Sequence, residues 1–285
     1  MKPLELLGIY REQVFSPGKI DVDAAILDAT VEELSHLGWE VRTLQAESLS
    51  DCSPRPEKVL SMAQSDRALK ILECWCGQGT RVINTTNSVR NCYRKPLTDL
   101  LTKTGVCIPP SRMVTIEEVE KQISLQSSAR LWLKRGDVHA MEPGDVASVT
   151  CREELNQAMA HFFARDIQDI LIQEHVNGPV VKFYGVGRHE YFRAYLAANG
   201  EEFTAGIGRL WAVARGAAGA VGLEVYGGDA VLSDESGPVL IDLNDWPSFS
   251  RCRRSAARSI AAYVGAEFQG DGDRAFSSQS RAHAS

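Results

Sequence analysis

From residue 4 to residue 86 short apolar runs suited to strands alternate with amphipathic helical stretches, and that alternation admits few folds. Leu4 to Tyr10 is an apolar strand. "DAAILDATVEELSHLG" then places Leu27, Val31, Leu34 and Leu37 on one helical face, ends at Gly38, and leads into "WEVRTL", the next strand. Ala68 to Leu72 has helical character and "TRVINTT" is a third strand. Parallel strands need a long crossover, and a helix between strands supplies one of the right-handed kind. The chain is therefore expected to be α/β, with a small parallel sheet in an N-terminal domain over 1–92.

The pattern then changes. "YRKPLTDLLTKTG" has Pro96 at a helix start and Gly105 after its end. Two Thr-x-x-Glu boxes, Thr115 to Glu118 and Thr150 to Glu153, each predict a helix start. Between them "ARLWLKRGDVHAMEPGDVASV" predicts two strands joined by a loop. "DILIQE", "PVVKFYGVG" and "EYFRAYLAANG" predict three more, followed by a small-residue helix near 208–221 and the strands "GLEVYGGDAVL" and "PVLIDLN". These suggest a central subdomain over 93–172 and a C-terminal one over 173–267. A last helix is expected at about 251–264, and 268–285 has too little apolar surface to fold and reads as a disordered tail.

At 285 residues, 44% hydrophobic and 24% charged, the composition is that of a soluble globular protein. A net charge of −6 without a dominant Lys/Arg stretch argues against nucleic-acid binding. No apolar run reaches the roughly 20 residues of a membrane span, so we expect a cytoplasmic protein that does not enter membranes. The seven cysteines match neither a zinc knuckle nor a CxxC motif, and no chemistry is assigned to them.

"PVLIDLNDWPSFSRC" breaks the apolar rule at its strand end. Alternation puts Leu240, Asp242 and Asn244 on one face, and Pro247 ends the strand. Two oxygen-bearing side chains at a strand tip suit a polar turn or a site for a hard cation such as Mg²⁺. With Lys95, Lys134, Gln173-Glu174 and Asp229 ahead of them, they fall in the order needed for a nucleoside triphosphate: cations for phosphates, a slot for the base, oxygens for the metal.

This order resembles the ATP-grasp superfamily from about Val82 to Val264, in particular its ribosomal-protein-modifying glutamate ligases and glutathione-synthetase-like ligases. The resemblance implies ATP and Mg²⁺ as cofactors. It assigns Asp229, Asp242 and Asn244 to the metal, Lys95 and Lys134 to the phosphates, and Gln173, Glu174, His175 and Val176 to the adenine and ribose, with Leu171 and Ile172 lining the slot. Two departures stand out: the loop "RGDVHAMEPGDV" has few glycines, and "NDWPS" replaces the usual Asn-x-x-Pro-Gly turn, with Ser248 in the glycine position. A weaker similarity to inositol 1,3,4-trisphosphate 5/6-kinases adds His139 and Lys182 as phosphate or substrate contacts.

The implied activity is an ADP-forming ligase joining a small-molecule carboxylate to an amine through an acylphosphate, possible as a homodimer. Arg193 and Lys182 are its candidate catalytic residues, and Arg193 alternatively pairs with Glu224 or Asp229. Kinase action on a polyol or inositol phosphate, and a non-catalytic nucleotide-binding module, are the other readings. Arg11, Glu12 and Lys19 lie beyond the first strand, where ligands bind in such sheets. Arg251, Arg253, Arg254 and Arg258 suit either an anion site or a solvated basic face.

Overall fold

The computed structural model describes residues 4–123 and 130–282. Its first layer is a parallel sheet of strands β1 (Leu4–Tyr10), β2 (Trp39–Gln45), β3 (Lys58–Ser61) and β4 (Arg81–Ile83) in the order β2-β1-β3-β4. Helices α1 (Ile20–His36) and α2 (Asp66–Gly77) are its crossovers. The sequence pattern misses β3. Its four residues are nearly all buried, and a strand covered on both faces shows no alternation. α1 buries Ile26, Leu27, Thr30 and Leu34, whereas Leu37, expected on that face, is the C-cap and 56% exposed. Helix α1 ends here because Gly38 takes the left-handed conformation, φ +86°.

Helices α3 (Thr86–Asn91) and α4 (Arg94–Lys103) lead to a second, antiparallel sheet. It comprises β5 (Ser111–Thr115), β6 (Leu131–Arg135), β7 (Val146–Val149) and β8 (Asp169–Glu174) in the order β5-β8-β6-β7. Thr115 forms the expected capping box with Glu118, ahead of the short α5 (Val119–Gln122). Thr150 instead bonds Glu154, through its amide at 2.6 Å and hydroxyl at 2.8 Å, and Cys151 caps α6 (Arg152–Ala164). Helix α6 packs Leu155 and Phe162 on Leu133, Ile170 and Ile172, one face of the sheet. The opposite face carries Trp132, Lys134, Leu171 and Gln173, which the register pairs Trp132 to Gln173 and Lys134 to Leu171.

The third sheet is also antiparallel: β9 (Val180–Val186), β10 (Tyr191–Leu196), β11 (Val225–Ser233) and β12 (Gly237–Asp245), ordered β10-β9-β11-β12. Helix α7 (Ile207–Val221) covers one face, and Leu97 and Leu101 of α4 share its core. Thus α4 packs with the third sheet, although the sequence groups it with the second.

The last helix, α8 (Arg253–Ala282), returns to the first sheet and packs on α1. It buries Ala256, Ile260 and Val264 against Ile26, Leu34 and Trp39. Each large aliphatic chain so buried is worth roughly 2 kcal/mol, which ties the chain's two ends together. The helix also passes the start of the expected tail at 268. Phe268, 2% exposed, packs on Trp39 with ring centroids 6.2 Å apart and lies under the Arg81 guanidinium, so the segment has an apolar anchor that composition alone hid. Residues 283–285 of that tail lie outside the described residues. Asn84 joins the first and third sheets: its Oδ1 accepts from the amides of Glu224 and Val225 at 2.8 and 2.9 Å, and its Nδ2 donates to the Val225 carbonyl at 2.7 Å.

Candidate functional site

The open face of the third sheet gathers polar residues by register. Asp229 stands between Lys182 on β9 and Asp242 on β12; two residues along, Gly227 stands between Tyr184 and Asn244. Arg193 lies opposite Tyr184. Side chains two apart on a strand share a face, so all these residues project to the same side.

The pattern on β12 is not simple alternation. Ala230 pairs with Leu240 but Asp229 with Asp242, leaving Ile241 as the extra residue of a β-bulge. Leu240 therefore joins Leu243 in the core with α7, not Asp242 and Asn244 as strict alternation predicts. The bulge also turns the Ile241 carbonyl toward the second sheet, where Lys134 Nζ donates to it at 3.0 Å. Gly228 makes the close approach possible, since a Cβ there would lie 2.1 Å from the Asp242 carbonyl oxygen.

Charge is concentrated at this point. Lys182 Nζ lies 2.8 and 3.1 Å from the Asp229 carboxylate oxygens, Arg94 Nη1 lies 3.8 Å from Asp242, and Asn244 Nδ2 donates to Asp242 at 3.1 Å. Burial pushes the Asp229 carboxyl up, and repulsion from Asp242 adds to this; Lys182 and Lys134 offset only part of it. Burial works against Asp242 as well, but Arg94 and Lys134 prevail and hold its carboxyl below the ordinary range. Lys182 is itself raised, its burial outweighed by Asp229. Lys134, 6% exposed, is pushed down to about 8 by burial and then by Arg94, against the pull of Asp242 and Asp229.

The other expected residues fall on both sides of this centre. Lys95 is exposed on α4, and the structure does not bring it to Asp242; its neighbour Arg94 is buried there instead. Successive helical residues diverge by about 100°, and Arg94 is the one in line with the buried Leu97 and Leu101, a spacing of three and seven that could have identified it. Leu171 and Gln173 line an apolar niche with Leu240 and Ile241, whereas Ile172 faces the α6 core. Gln173 Nε2 donates to Ser111 Oγ at 3.0 Å. Glu174 is exposed, Val176 half-buried, and His175 Nδ1 accepts from Trp132 Nε1 at 3.1 Å. Arg193 pairs with Glu202 at 3.2 Å, rather than with Glu224 or Asp229, and lies over the Tyr191 ring. Of the basic cluster, Arg258 pairs with Glu33 at 3.1 Å and Arg253 donates to the Val22 carbonyl at 3.1 Å, both pinning α8 to α1.

The glycine-poor loop between β6 and β7 is shaped by a residue that sequence reading passed over. Asp145 is fully buried. It accepts from the amides of Met141 and Glu142 at 2.8 and 3.1 Å and pairs with Arg135 at 3.2 Å, His161 at 3.2 Å and Arg165. His139 projects from this loop beside Phe15, ring centroids 6.0 Å apart. Burial, reinforced by Arg11, pushes its imidazole down to about 4, so it is neutral at pH 7. A cleft of about 510 Å³ lies beneath, lined by the loop after β1, by the β6–β7 loop and by Asn244 to Ser248. Trp246 in that turn is fully buried at φ +36°, a conformation that a non-glycine residue holds only under tertiary constraint.

The donor set suits Mg²⁺. Asp229, Asp242 and Asn244 offer hard oxygens on one face of the third sheet, from adjacent strands. Among the described residues no three or more His, Cys, Asp or Glu side chains converge as a self-sufficient metal cage. No helix among the described residues is long and apolar enough to cross a membrane.

No protein-family model and no curated protein matches the sequence. Solved structures do match. A RimK domain ATP-grasp protein from Sphaerobacter thermophilus is 18% identical with a TM-score of 0.72, over 90% of this chain and 98% of its own. The VanG D-Ala:D-Ser ligase from Enterococcus faecalis is 13% identical with a TM-score of 0.73, over 93% and 99%. A D-alanine–D-alanine ligase from Bacillus anthracis complexed with ATP is 12% identical with a TM-score of 0.69, over 95% and 100%. The sheet orders, the site face and these likenesses together establish that the chain has the ATP-grasp fold.

Proposed function

We propose that this protein is an ATP- and Mg²⁺-dependent ligase that joins a carboxylate to an amine. The observation that carries the proposal is the Asp229–Asp242 pair on the third sheet, with Asn244 beside it and Lys134 reaching it from the second. The likeness to D-Ala:D-Ser and D-Ala–D-Ala ligases supports the reaction class. Lysine and arginine around paired carboxylates are what phosphoryl transfer from a bound nucleotide requires.

In this reading a substrate carboxylate oxygen attacks the γ-phosphorus and ADP departs. The amine nitrogen then attacks the acylphosphate carbonyl, phosphate leaves, and the nitrogen gives up one proton. Asp229, Asp242 and Asn244 would hold Mg²⁺, which when bound neutralises charge on the phosphates. Lys134 and Arg94 supply fixed positive charge beside Asp242. Leu171, Leu240 and Ile241 form an apolar wall suited to a base, with the Gln173 amide at its edge. Lys182 holds Asp229 in place. Arg193 lies on the same face, but its pairing with Glu202 makes it a candidate for substrate positioning only after that ion pair opens. Among the described residues the cleft offers Arg11 and Lys19 as the cations from the first domain, and Arg11 is already paired with Asp23, which disfavours a multiply phosphorylated kinase substrate.

Incubation with Mg·ATP, a pool of carboxylic acids and hydroxylamine tests the reading. ADP, free phosphate and a hydroxamate are expected. ADP with a phosphorylated product and no free phosphate would show a kinase instead.

A further inference from the structure

A second cavity, of about 650 Å³, lies between the turn that joins β9 to β10 and the solvent side of α7. That turn starts at Gly187, five residues beyond Lys182, which puts it about 17 Å along the strand from the Lys182–Asp229 pair. The cavity is therefore separate from the metal face.

Arg188, His189 and Arg215 line it. Among the described residues neither arginine is in an ion pair, and Glu224 is the one carboxylate of the lining. Glu224 Oε2 already accepts from Tyr263 Oη at 3.0 Å. Arg215 Nη1 donates to His189 Nδ1 at 3.1 Å, which leaves the proton of a neutral imidazole on Nε2 as a further donor. The Trp211 ring, stacked on Phe192, meets the His189 ring edge-on and holds it in place.

The floor has an independent peculiarity. Gly216 and Gly219 are three apart on α7 and share a face. Glycine weakens a helix interior relative to alanine, yet a Cβ on either would meet nothing within 4 Å, so packing within the protein does not require them. Without those side chains the cavity reaches the helix backbone, where a bound molecule can lie close. A cavity of this size suits a metabolite-sized ligand. Two guanidinium groups without counter-charge, and an imidazole N–H, match an oxyanion with several acceptor oxygens, and a phosphate monoester presents three.

We propose that the cavity between Arg188, Arg215 and the glycine face of α7 is a second binding site, which takes a small phosphate monoester. The proposal goes beyond the ligase reading and does not depend on it.

Isothermal titration calorimetry on the full chain, with Mg²⁺ and a non-hydrolysable ATP analogue present, compares phenyl phosphate with benzyl alcohol, a neutral molecule of similar stem. Phenyl phosphate should bind saturably at millimolar concentration, and benzyl alcohol at least ten-fold more weakly. Arg215→Gln should weaken phenyl phosphate at least ten-fold. Gly219→Leu keeps both arginines but fills the floor, and should weaken it as much. Both variants should retain the wild-type stabilisation by Mg·ATP, and an unfolding midpoint no lower than the wild type's is the check on folding. No saturable binding, equal affinity of the two probes, or undiminished binding by a folded R215Q or G219L would overturn the assignment. Arg188→Gln, at an exposed turn position, serves the same test where R215Q does not fold. If phenyl phosphate behaves as expected but no hydroxamate forms with Mg·ATP, it is the ligase reading alone that fails.

Discussion

Replacing Lys134 with methionine should stabilise the protein while abolishing its response to nucleotide. The side chain is nearly fully buried, and its ammonium is pushed from the ordinary 10.5 to about 8. That displacement means the charged form is about 3 kcal/mol worse off in the folded protein than in the unfolded chain. Methionine fills a similar volume without charge. It forfeits the hydrogen bond to the Ile241 carbonyl, worth about 1 kcal/mol. A net gain of about 2 kcal/mol is expected at pH 7. The pH dependence identifies the cause. Below pH 8 the lysine is charged in both states and the wild type bears the full cost. Between pH 8 and 10.5 the unfolded chain keeps a proton that the folded protein has released, so wild-type stability rises with pH. At about pH 9.5 some 2 kcal/mol is recovered and the two proteins should have nearly equal urea midpoints. In parallel, millimolar Mg·ATP should raise the thermal midpoint of the wild type but not of the variant. A variant less stable at pH 7, or a difference that stays constant from pH 7 to 9.5, would refute the reasoning.

Asp242→Asn should reduce ATP turnover by about 10²-fold or more, because the metal loses an anionic ligand. It should also cost about 3 kcal/mol at pH 7 in urea unfolding, since Arg94 and Lys134 lose their counter-charge. The wild-type carboxyl, held low, contributes stability that is present in full above pH 3.8 and disappears as the pH falls through its folded value, which an acid titration of the unfolding midpoint can follow. Lys95→Ala should leave the KM for ATP within about two-fold, whereas Arg94→Ala should raise it about ten-fold or more, by the loss of a charged partner worth roughly 1.5–3 kcal/mol; steady-state kinetics on the pair distinguishes the two cations. Asp145→Asn should destabilise by about 3 kcal/mol, read from urea midpoints, because Arg135 and Arg165 are left around a neutral group in a buried setting.

Much of the scaffold follows from local chemistry. Period-two and helical spacing mark β1, α1, β2, α7, β11 and β12, and the Thr115 box marks its turn, because each signal lies within a few consecutive residues. The polar tip of β12 is visible for the same reason: a carboxylate and an amide two apart must share a face, and Pro247 must end the strand. What the local pattern could not reveal depends on remote partners. The buried β3 has no alternation to read. The Ile241 bulge arises from the pairing with β11, and it alone moves Leu240 to the core and presents a carbonyl to Lys134. Whether Arg94 or Lys95 serves the site is decided by which side of α4 meets α7 and β12. The buried hydrogen bond between Gln64 and Asp245 exists only because residues 181 apart in the chain are brought together. Sequence by itself thus determined which elements form and that their strand ends carry hard oxygens and cations. Tertiary structure decided which of those groups are desolvated and face one another, because burial and charge pairing between distant segments depend on how the three sheets pack.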